Sequence, residues 1–175
     1  MTFAVDVRAS KIVQGAVFFR PSIFTDVRGM LWTSFLDSQL KKYIPEGLSF
    51  VHDKFAVTNY NVLRGIHFDS KSWKLVTCVD GIVDQVIVDM RGDSPNYQKW
   101  EKIELRGDEP TLVLLPPGVG NAFHVKSASA VYHYKLAYLG GYVDAAEQQT
   151  IFWNDKELDI DWSVSEPILS DRDQS

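Results

Sequence analysis

The chain has 175 residues, 45% of them apolar and 23% charged, ordinary values for a globular protein with one core. Its net charge of -5 excludes a general nucleic-acid binder, which needs a basic face, yet leaves room for one small phosphorylated ligand held by local arginines. A single cysteine, Cys78, excludes an intrachain disulfide and a thiolate zinc cluster, and its place in the apolar run 75–79 marks it as a small core residue rather than a nucleophile.

Residues 1–8 lack the basic start and long apolar stretch of a signal peptide, and no segment is long and apolar enough to span a membrane, so a cytoplasmic protein is expected. Residues 11–20 read as a strand interrupted at Gly15 and ended by Pro21. Residues 24–29 read as a turn and 30–35 as a second strand. The stretch 36–46 carries the one early helix, with Asp37 or Ser38 as its cap, Leu40, Tyr43 and Ile44 at helical spacing, and Pro45 and Gly47 as its stop.

From there the chain is extended over 48–58, 62–68, 74–79, 82–90, 100–105, 111–115, 121–125 and 130–138. Turn signals separate these runs at Asp80-Gly81, 92–95, 106–110, 116–118 and Gly140-Gly141. Short strands at such regular spacing predict a sandwich or barrel. Asp80-Gly81, between two apolar runs, predicts a tight hairpin. Residues 145–148 read as a loop or short turn, and Trp153 and Trp162 imply a tail packed on the barrel. No repeat, linker or low-complexity tract divides the sequence, so one domain over residues 1–175 is expected.

The segment 61–76 stands apart because Arg64, His67 and Lys74 interrupt an otherwise apolar, strand-like run. Histidine takes and gives protons near neutral pH, while Arg64 and Lys74 suit an anion and an oxyanion. Strict alternation would put Arg64 and His67 on opposite faces, so a shared site requires a bend or bulge at Gly65. Bland readings stand beside this one. All four histidines (His52, His67, His124, His133) fall in predicted strands, where a lone histidine is more often structural. Tyr132, Tyr134 and Tyr138 share one strand face, with His133 and Lys135 on the other, which fits aromatic packing as well as a proton donor aimed into a barrel. Residues 26–29 fit a charged turn, and Asp171 and Asp173 fit solvated tail charge. No His-x-His pair with a following Glu is present, so no metal is expected.

Taken together, several motifs resemble the dTDP-4-dehydrorhamnose 3,5-epimerase family. They are Phe24-x-Asp26-x-Arg28-Gly29, the run Asn61 to Phe68, Lys74-Leu75-Val76, Asp89-x-Arg91-x-x-Ser94-Pro95, Pro117-Gly118-x-x-Asn121-x-Phe123, Tyr134-Lys135, Trp153-Asn154-Asp155 and Leu169-Ser170-x-x-Asp173. The match runs in order from about Phe18 to Asp173. It implies an all-β, cupin-like jelly-roll barrel with a few short helices, a homodimer, and catalysis with no metal or other cofactor. Its implied activity is inversion of C3, C5 or both in a nucleotide-diphospho-4-keto-6-deoxy sugar, with no nucleic acid and no membrane as partner.

Carried over by position, the resemblance makes His67 the general base and Asp173 the carboxylate that orients it. Tyr134 becomes the acid on the opposite face, and Lys74 the cation near the keto oxygen. Arg64, together with Arg28 from the partner subunit, would hold the diphosphate. Three departures stand out. Asn121 replaces a histidine that serves the ketone. His52-Asp53-Lys54 replaces the Gln-x-Asn pair associated with the pyrimidine, making His52 and Lys54 the nucleotide-side candidates. The second active-site tyrosine falls near Tyr142 or Val143. Gly120-Asn121-Ala122, with residues 51–55 and 168–173, looks more like the branch acting on GDP-4-keto-6-deoxy-heptoses in capsular polysaccharide synthesis. Two rival readings are a 3,4-ketoisomerase of the same fold, disfavoured by Arg64-x-x-His67 with Asp173, and a non-catalytic nucleotide-sugar-binding barrel, disfavoured because base, carboxylate and tyrosine are all present. The base and its carboxylate lie far apart in sequence, so the tail is expected to fold back onto the His67 strand.

Overall fold

A computed structural model describes residues 5–174; residues 1–4, on which the reading of the N-terminus partly rests, and residue 175 lie outside the described residues. In chain order the elements are β1 (Val5–Ala9), β2 (Val17–Pro21), β3 (Ile23–Asp26), β4 (Gly29–Trp32), α1 (Asp37–Leu40), β5 (Phe50–Asn59), β6 (Leu63–Phe68), β7 (Trp73–Asp80), β8 (Ile82–Asp89), β9 (Trp100–Arg106), β10 (Leu112–Leu115), β11 (Val119–Val125), β12 (Ser129–Ala137), β13 (Gln149–Thr150) and α2 (Asp171–Gln174). Two antiparallel sheets, ordered β1-β2-β10-β7-β12-β5 and β13-β6-β11-β8-β9, face each other as a cupin-like jelly-roll barrel, and β3 and β4 form a separate hairpin.

Alternation decides which side chains fill the barrel. On β11, Val119, Phe123 and Val125 point inward and meet Val76, Cys78, Val83, Ile87 and Tyr132 between the sheets. Of the outward positions of β11, Gly120 and Ala122 are small, and Ala122 lets the tail pack close, with Leu158 and Trp162 lying over Leu63, Ile66, Val86 and Val88. Both faces of β8 and β11 are therefore covered, which explains why those strands are almost wholly buried. A third cluster, Phe19, Leu40, Ile44, Leu75, Leu112 and Leu114, fastens α1 to the outside of the six-stranded sheet. Indole N–H groups of Trp100 and Trp162 donate to the carbonyls of Leu158 and Trp153, each at 2.7 Å, which confirms a packed tail. Cys78 is buried in the core, where burial pushes its thiol up to about 11.

Four local expectations are corrected. Gly15 lies in the turn between β1 and β2 rather than within a strand, so the run expected from residue 11 begins only at Val17, and Pro21 ends it as the last residue of β2. The turn expected over 24–29 narrows to Val27 and Arg28, because residues 23–26 pair with 29–32. The helix over 36–46 shrinks to α1 plus one 3-10 turn at Lys41–Tyr43; its N-cap is Leu36, with no side-chain cap from Asp37 or Ser38. An uncapped helix of one turn has too few internal hydrogen bonds to stand alone, so packing of Leu40 and Ile44 holds it. Finally, Asp80-Gly81 is no hairpin. β7 and β8 belong to different sheets, and the pair forms the corner by which the chain crosses between them. Gly81 has φ +83, and a Cβ there would lie 2.3 Å from the Ser129 carbonyl oxygen, so the corner requires glycine for closeness as well as for its dihedral.

Candidate active site

The two sheets part at one end to leave a cavity of about 380 Å3. The five-stranded sheet supplies Arg64 and His67 from β6 and Asn121 from β11. Its opposite wall supplies Lys54 from β5, Lys74 from β7 and Tyr134 from β12, while the tail adds Ser170, Arg172 and Asp173. Arg64 and His67 reach one cavity because the ladder slips between them. Asn121 pairs with His67 and Phe123 with Arg64, so β6 spends three steps where β11 spends two. This is the bulge expected at Gly65.

The tail does fold back. Residues 149 and 150 add β13 to the edge of β6, Val62 bridges Ile168, and His67 Nε2 lies 2.6 Å from Asp173 Oδ1. The other carboxylate oxygen accepts a 2.8 Å hydrogen bond from the Ser170 hydroxyl. Burial, with Asp173 only 3% exposed, would raise its carboxyl; hydrogen bonds from His67 and Ser170, helped by the charges of His67 and Arg172, outweigh that and hold it below the usual carboxylate range. An ionised carboxylate only accepts, so in a neutral ring the proton sits on Nε2 and Nδ1 keeps the lone pair.

These contacts fix two outcomes. Above its unfolded value of about 3.9 the Asp173 carboxylate stabilises the fold, and that contribution disappears as pH falls through its lower folded value. Asp173→Asn is expected to flatten the acid limb of stability, measured as thermal melts of both proteins from about pH 5 downward; equal acid sensitivity would contradict the pairing. Truncation after Leu169 removes Ser170 and Asp173 but spares Leu158, Trp162 and the Val62–Ile168 bridge. It is expected to erase activity while leaving the circular dichroism spectrum and cooperative melting in place.

Opposite the dyad, burial raises the Tyr134 phenol far above its usual range, against the nearby Arg64 charge, so it stays protonated at neutral pH. Lys74 is buried and pairs with Asp69 at 3.3 Å. Burial depresses its ammonium, Asp69 opposes this, and the Lys54 and Arg172 charges add to it. Asp69 is itself pinned by the backbone N–H groups of Lys71 (2.9 Å) and Ser72 (2.6 Å). Arg64 uses Nε on the Thr58 hydroxyl at 3.2 Å. Lys54 donates to the Tyr142 hydroxyl and lies 4.8 Å over the Tyr142 ring. Four cations and one carboxylate line the cavity, an arrangement that attracts a polyanion.

Of the ten residues singled out from sequence, eight line this cavity: Lys54, Arg64, His67, Lys74, Asn121, Tyr134, Tyr142 and Asp173. His52 stands behind Tyr142, its ring 4.8 Å away edge-on, and reaches the cavity only through it. Arg28 is not brought there. It sits at the tip of the β3–β4 hairpin, 82% exposed, and donates to Asp26. Of the tyrosines sharing a face, Tyr132 is core and only Tyr134 reaches the cavity, while His133 and Lys135 point outward onto Asp53 at 2.7 Å each. Asp89-x-Arg91-x-x-Ser94 closes on itself, Arg91 Nε (2.8 Å) and the Ser94 hydroxyl (2.7 Å) binding Asp89, and it stabilises a loop rather than the cavity. Arg172 was missed. Its place between Asp171 and Asp173 resembles tail charge, and only the return of the tail turns it inward, where Thr150 Oγ1 (2.8 Å) and the Gln148 carbonyl (3.3 Å) hold it.

A barrel that places a histidine–carboxylate pair across from a partly buried tyrosine, among cations, defines an enzyme that moves protons on an anionic substrate. The comparisons make this more specific. Residues 10–175 match the sequence model of the family described as dTDP-4-dehydrorhamnose 3,5-epimerase. A dTDP-4-dehydrorhamnose 3,5-epimerase of Shigella flexneri is 32% identical, covering 92% of this chain and 89% of that one. A dTDP-4-dehydrorhamnose 3-epimerase of Streptomyces niveus is 34% identical over 93% of this chain and 78% of its own length. The crystal structure of a dTDP-6-deoxy-D-glucose-3,5-epimerase from Legionella pneumophila Philadelphia 1, in complex with dTDP-4-keto-L-rhamnose, superposes with a TM-score of 0.88 at 29% identity, covering 97% of this chain and 90% of that chain. The chain belongs to the dTDP-4-dehydrorhamnose 3,5-epimerase family and is a carbohydrate epimerase. Among the described residues no helix is long and apolar enough to cross a membrane.

Proposed function

We propose that the cavity binds a nucleotide-diphospho-4-keto-6-deoxy sugar and inverts one or both carbons flanking the ketone through an enolate. The observation that carries this reading is the His67–Asp173 contact at 2.6 Å in a cavity that Tyr134 enters from the opposite sheet. The ketone acidifies the neighbouring C–H. His67 removes that proton through Nδ1, the electron pair moves onto the C4 oxygen, and Asp173 stabilises the imidazolium formed. Tyr134 returns a proton to the other face of the same carbon, so configuration inverts and the carbonyl stays in place. Each positioned acid or base contributes about 10²–10⁴-fold. Lys74 and Asn121 serve the oxygen that gains charge, and Lys74→Met is expected to lower kcat by about 10²–10³-fold with little change in KM, read by steady-state kinetics. Arg64 and Arg172 suit the diphosphate because a guanidinium donates in a planar fork.

Two features support a homodimer. The β3–β4 hairpin exposes Phe24, Val27, Met30 and Leu31, and the outer face of edge strand β5 exposes Val51, Phe55 and Val57. Pairing through these surfaces would carry Arg28 to a second copy's cavity. The named relatives act on dTDP sugars, while Asn121 and Lys54 at the cavity, with Gly120 and Ala122 flanking Asn121 in sequence, favour a GDP-4-keto-6-deoxy-heptose of capsular or lipopolysaccharide synthesis. A cytoplasmic location belongs to the same proposal.

The test is proton NMR in heavy water with dTDP-, GDP- and CDP-linked 4-keto-6-deoxy hexoses and heptoses. Loss of the C3 or C5 proton signal identifies substrate and position together. Tight binding with no exchange over hours would overturn the epimerase mechanism at this site.

A further inference from the structure

We propose that Gln85 is a positioning residue, which turns the Asn121 side-chain amide so that its NH2 group, not its carbonyl, faces the cavity. The proposal rests on the reading that an enolate oxygen forms there, and deepens it. Gln85 lies on β8 at 0% exposure, among inward-facing Val83 and Ile87. Burying an amide in such a place is costly unless its hydrogen bonds are made, and here they are.

Their directions are set by chemistry. Gln85 Nε2 lies 3.2 Å from the Val86 carbonyl oxygen, which can only accept, so the nitrogen end of the amide must be the one placed there. The same nitrogen lies 2.7 Å from an Asn121 side-chain atom, which must then be Oδ1. The Tyr132 hydroxyl donates to Gln85 Oε1 and also lies 3.4 Å from Asn121 Oδ1. With its carbonyl occupied on the core side, Asn121 presents Nδ2 to the cavity, and no described residue accepts from it. Asn121 is the direct cross-strand partner of His67 and lines the same cavity. Its two N–H bonds are thus aimed where negative charge develops, and the reverse orientation would set a carbonyl dipole against that charge.

Gln85→Met keeps the volume and removes both amide groups. Solvent deuterium exchange of the substrate is expected to fall about tenfold in kcat, with KM unchanged, because the freed Asn121 amide samples both orientations. In an Asn121→Ala background the same substitution is expected to change nothing further, since Gln85 acts only through Asn121. An equal loss in both backgrounds would overturn the proposal, as a role confined to packing predicts that result. Tyr132→Phe, which keeps the ring and removes only the hydroxyl, gives a second cycle with the same criterion should Gln85→Met fail to fold. Side-chain amide NMR of the wild-type protein decides the orientation without any reaction. Slow solvent exchange is expected for the Gln85 NH2, and fast exchange for the Asn121 NH2, with a shift on adding a nucleoside diphosphate. Protected Asn121 protons beside exposed Gln85 protons would overturn the orientation even if no 4-keto sugar proves to be a substrate.

Discussion

His67→Asn is expected to lower solvent hydrogen exchange at the substrate by at least about 10³-fold while leaving nucleotide-sugar binding within a few-fold of wild type. Asparagine can still donate to Asp173, so the tail remains docked and the fold is preserved. What it cannot do is accept a proton from carbon. The loss should fall on kcat, since the removed interaction exists only as the proton moves. Asp173→Asn should cost less, because the ring remains but loses the charge that fixes its tautomer and stabilises the imidazolium. The double variant should be little worse than His67→Asn alone, as expected for groups that act as a unit. Single-turnover exchange in heavy water and calorimetric titration with nucleoside diphosphate read the two quantities separately. An unimpaired His67→Asn variant would sink the assignment of the base.

Gly65→Ala is expected to cost about 3 kcal/mol or more of stability, a drop near 10 °C in melting temperature for a chain of this size. Two terms add. Gly65 has φ +117, which an L side chain rarely adopts. A Cβ there would also stand 2.6 Å from both the Ala122 Cβ and the Asn121 carbonyl oxygen, and 2.7 Å from the Ala122 Cα. Backbone cannot rotate away as a side chain can, so β6 must lift from β11. That movement would separate Arg64 from His67 and shift His67 relative to Asn121, so activity should fall further than stability alone explains. Gly92→Ala is the control, because a Cβ there meets nothing within 4 Å. A Gly65→Ala protein melting like Gly92→Ala would show that the bulge tolerates a side chain.

The central strands were legible because they are short, mostly apolar runs bounded by turn residues. Runs such as 62–68 and 121–125 agree with β6 and β11 to within two residues at each end. β1 was not legible, since its residues are mostly exposed and depend on β2 for pairing rather than on an apolar pattern of their own. Gln85 was passed over because a glutamine beside Asp84 in the mainly apolar run 82–90 has no meaning until Asn121 and Tyr132 are known to surround it.

The sequence by itself determined the chemistry available to this protein. A histidine, a tyrosine, two aspartates and several cations lie on or beside strands, and a glycine stands where a bulge was needed. Those properties belong to residue type and local period, which neighbours in sequence express. Tertiary structure alone decided which of them meet. His67 and Asp173 are 106 residues apart in the chain and 2.6 Å apart in space. Asp80-Gly81 crosses between sheets instead of closing a hairpin, and Arg172 turns from tail charge into cavity wall. Each of these depends on a through-space packing choice, the return of the tail over β6 and the facing of two sheets, for which no local stretch of sequence carries a signal.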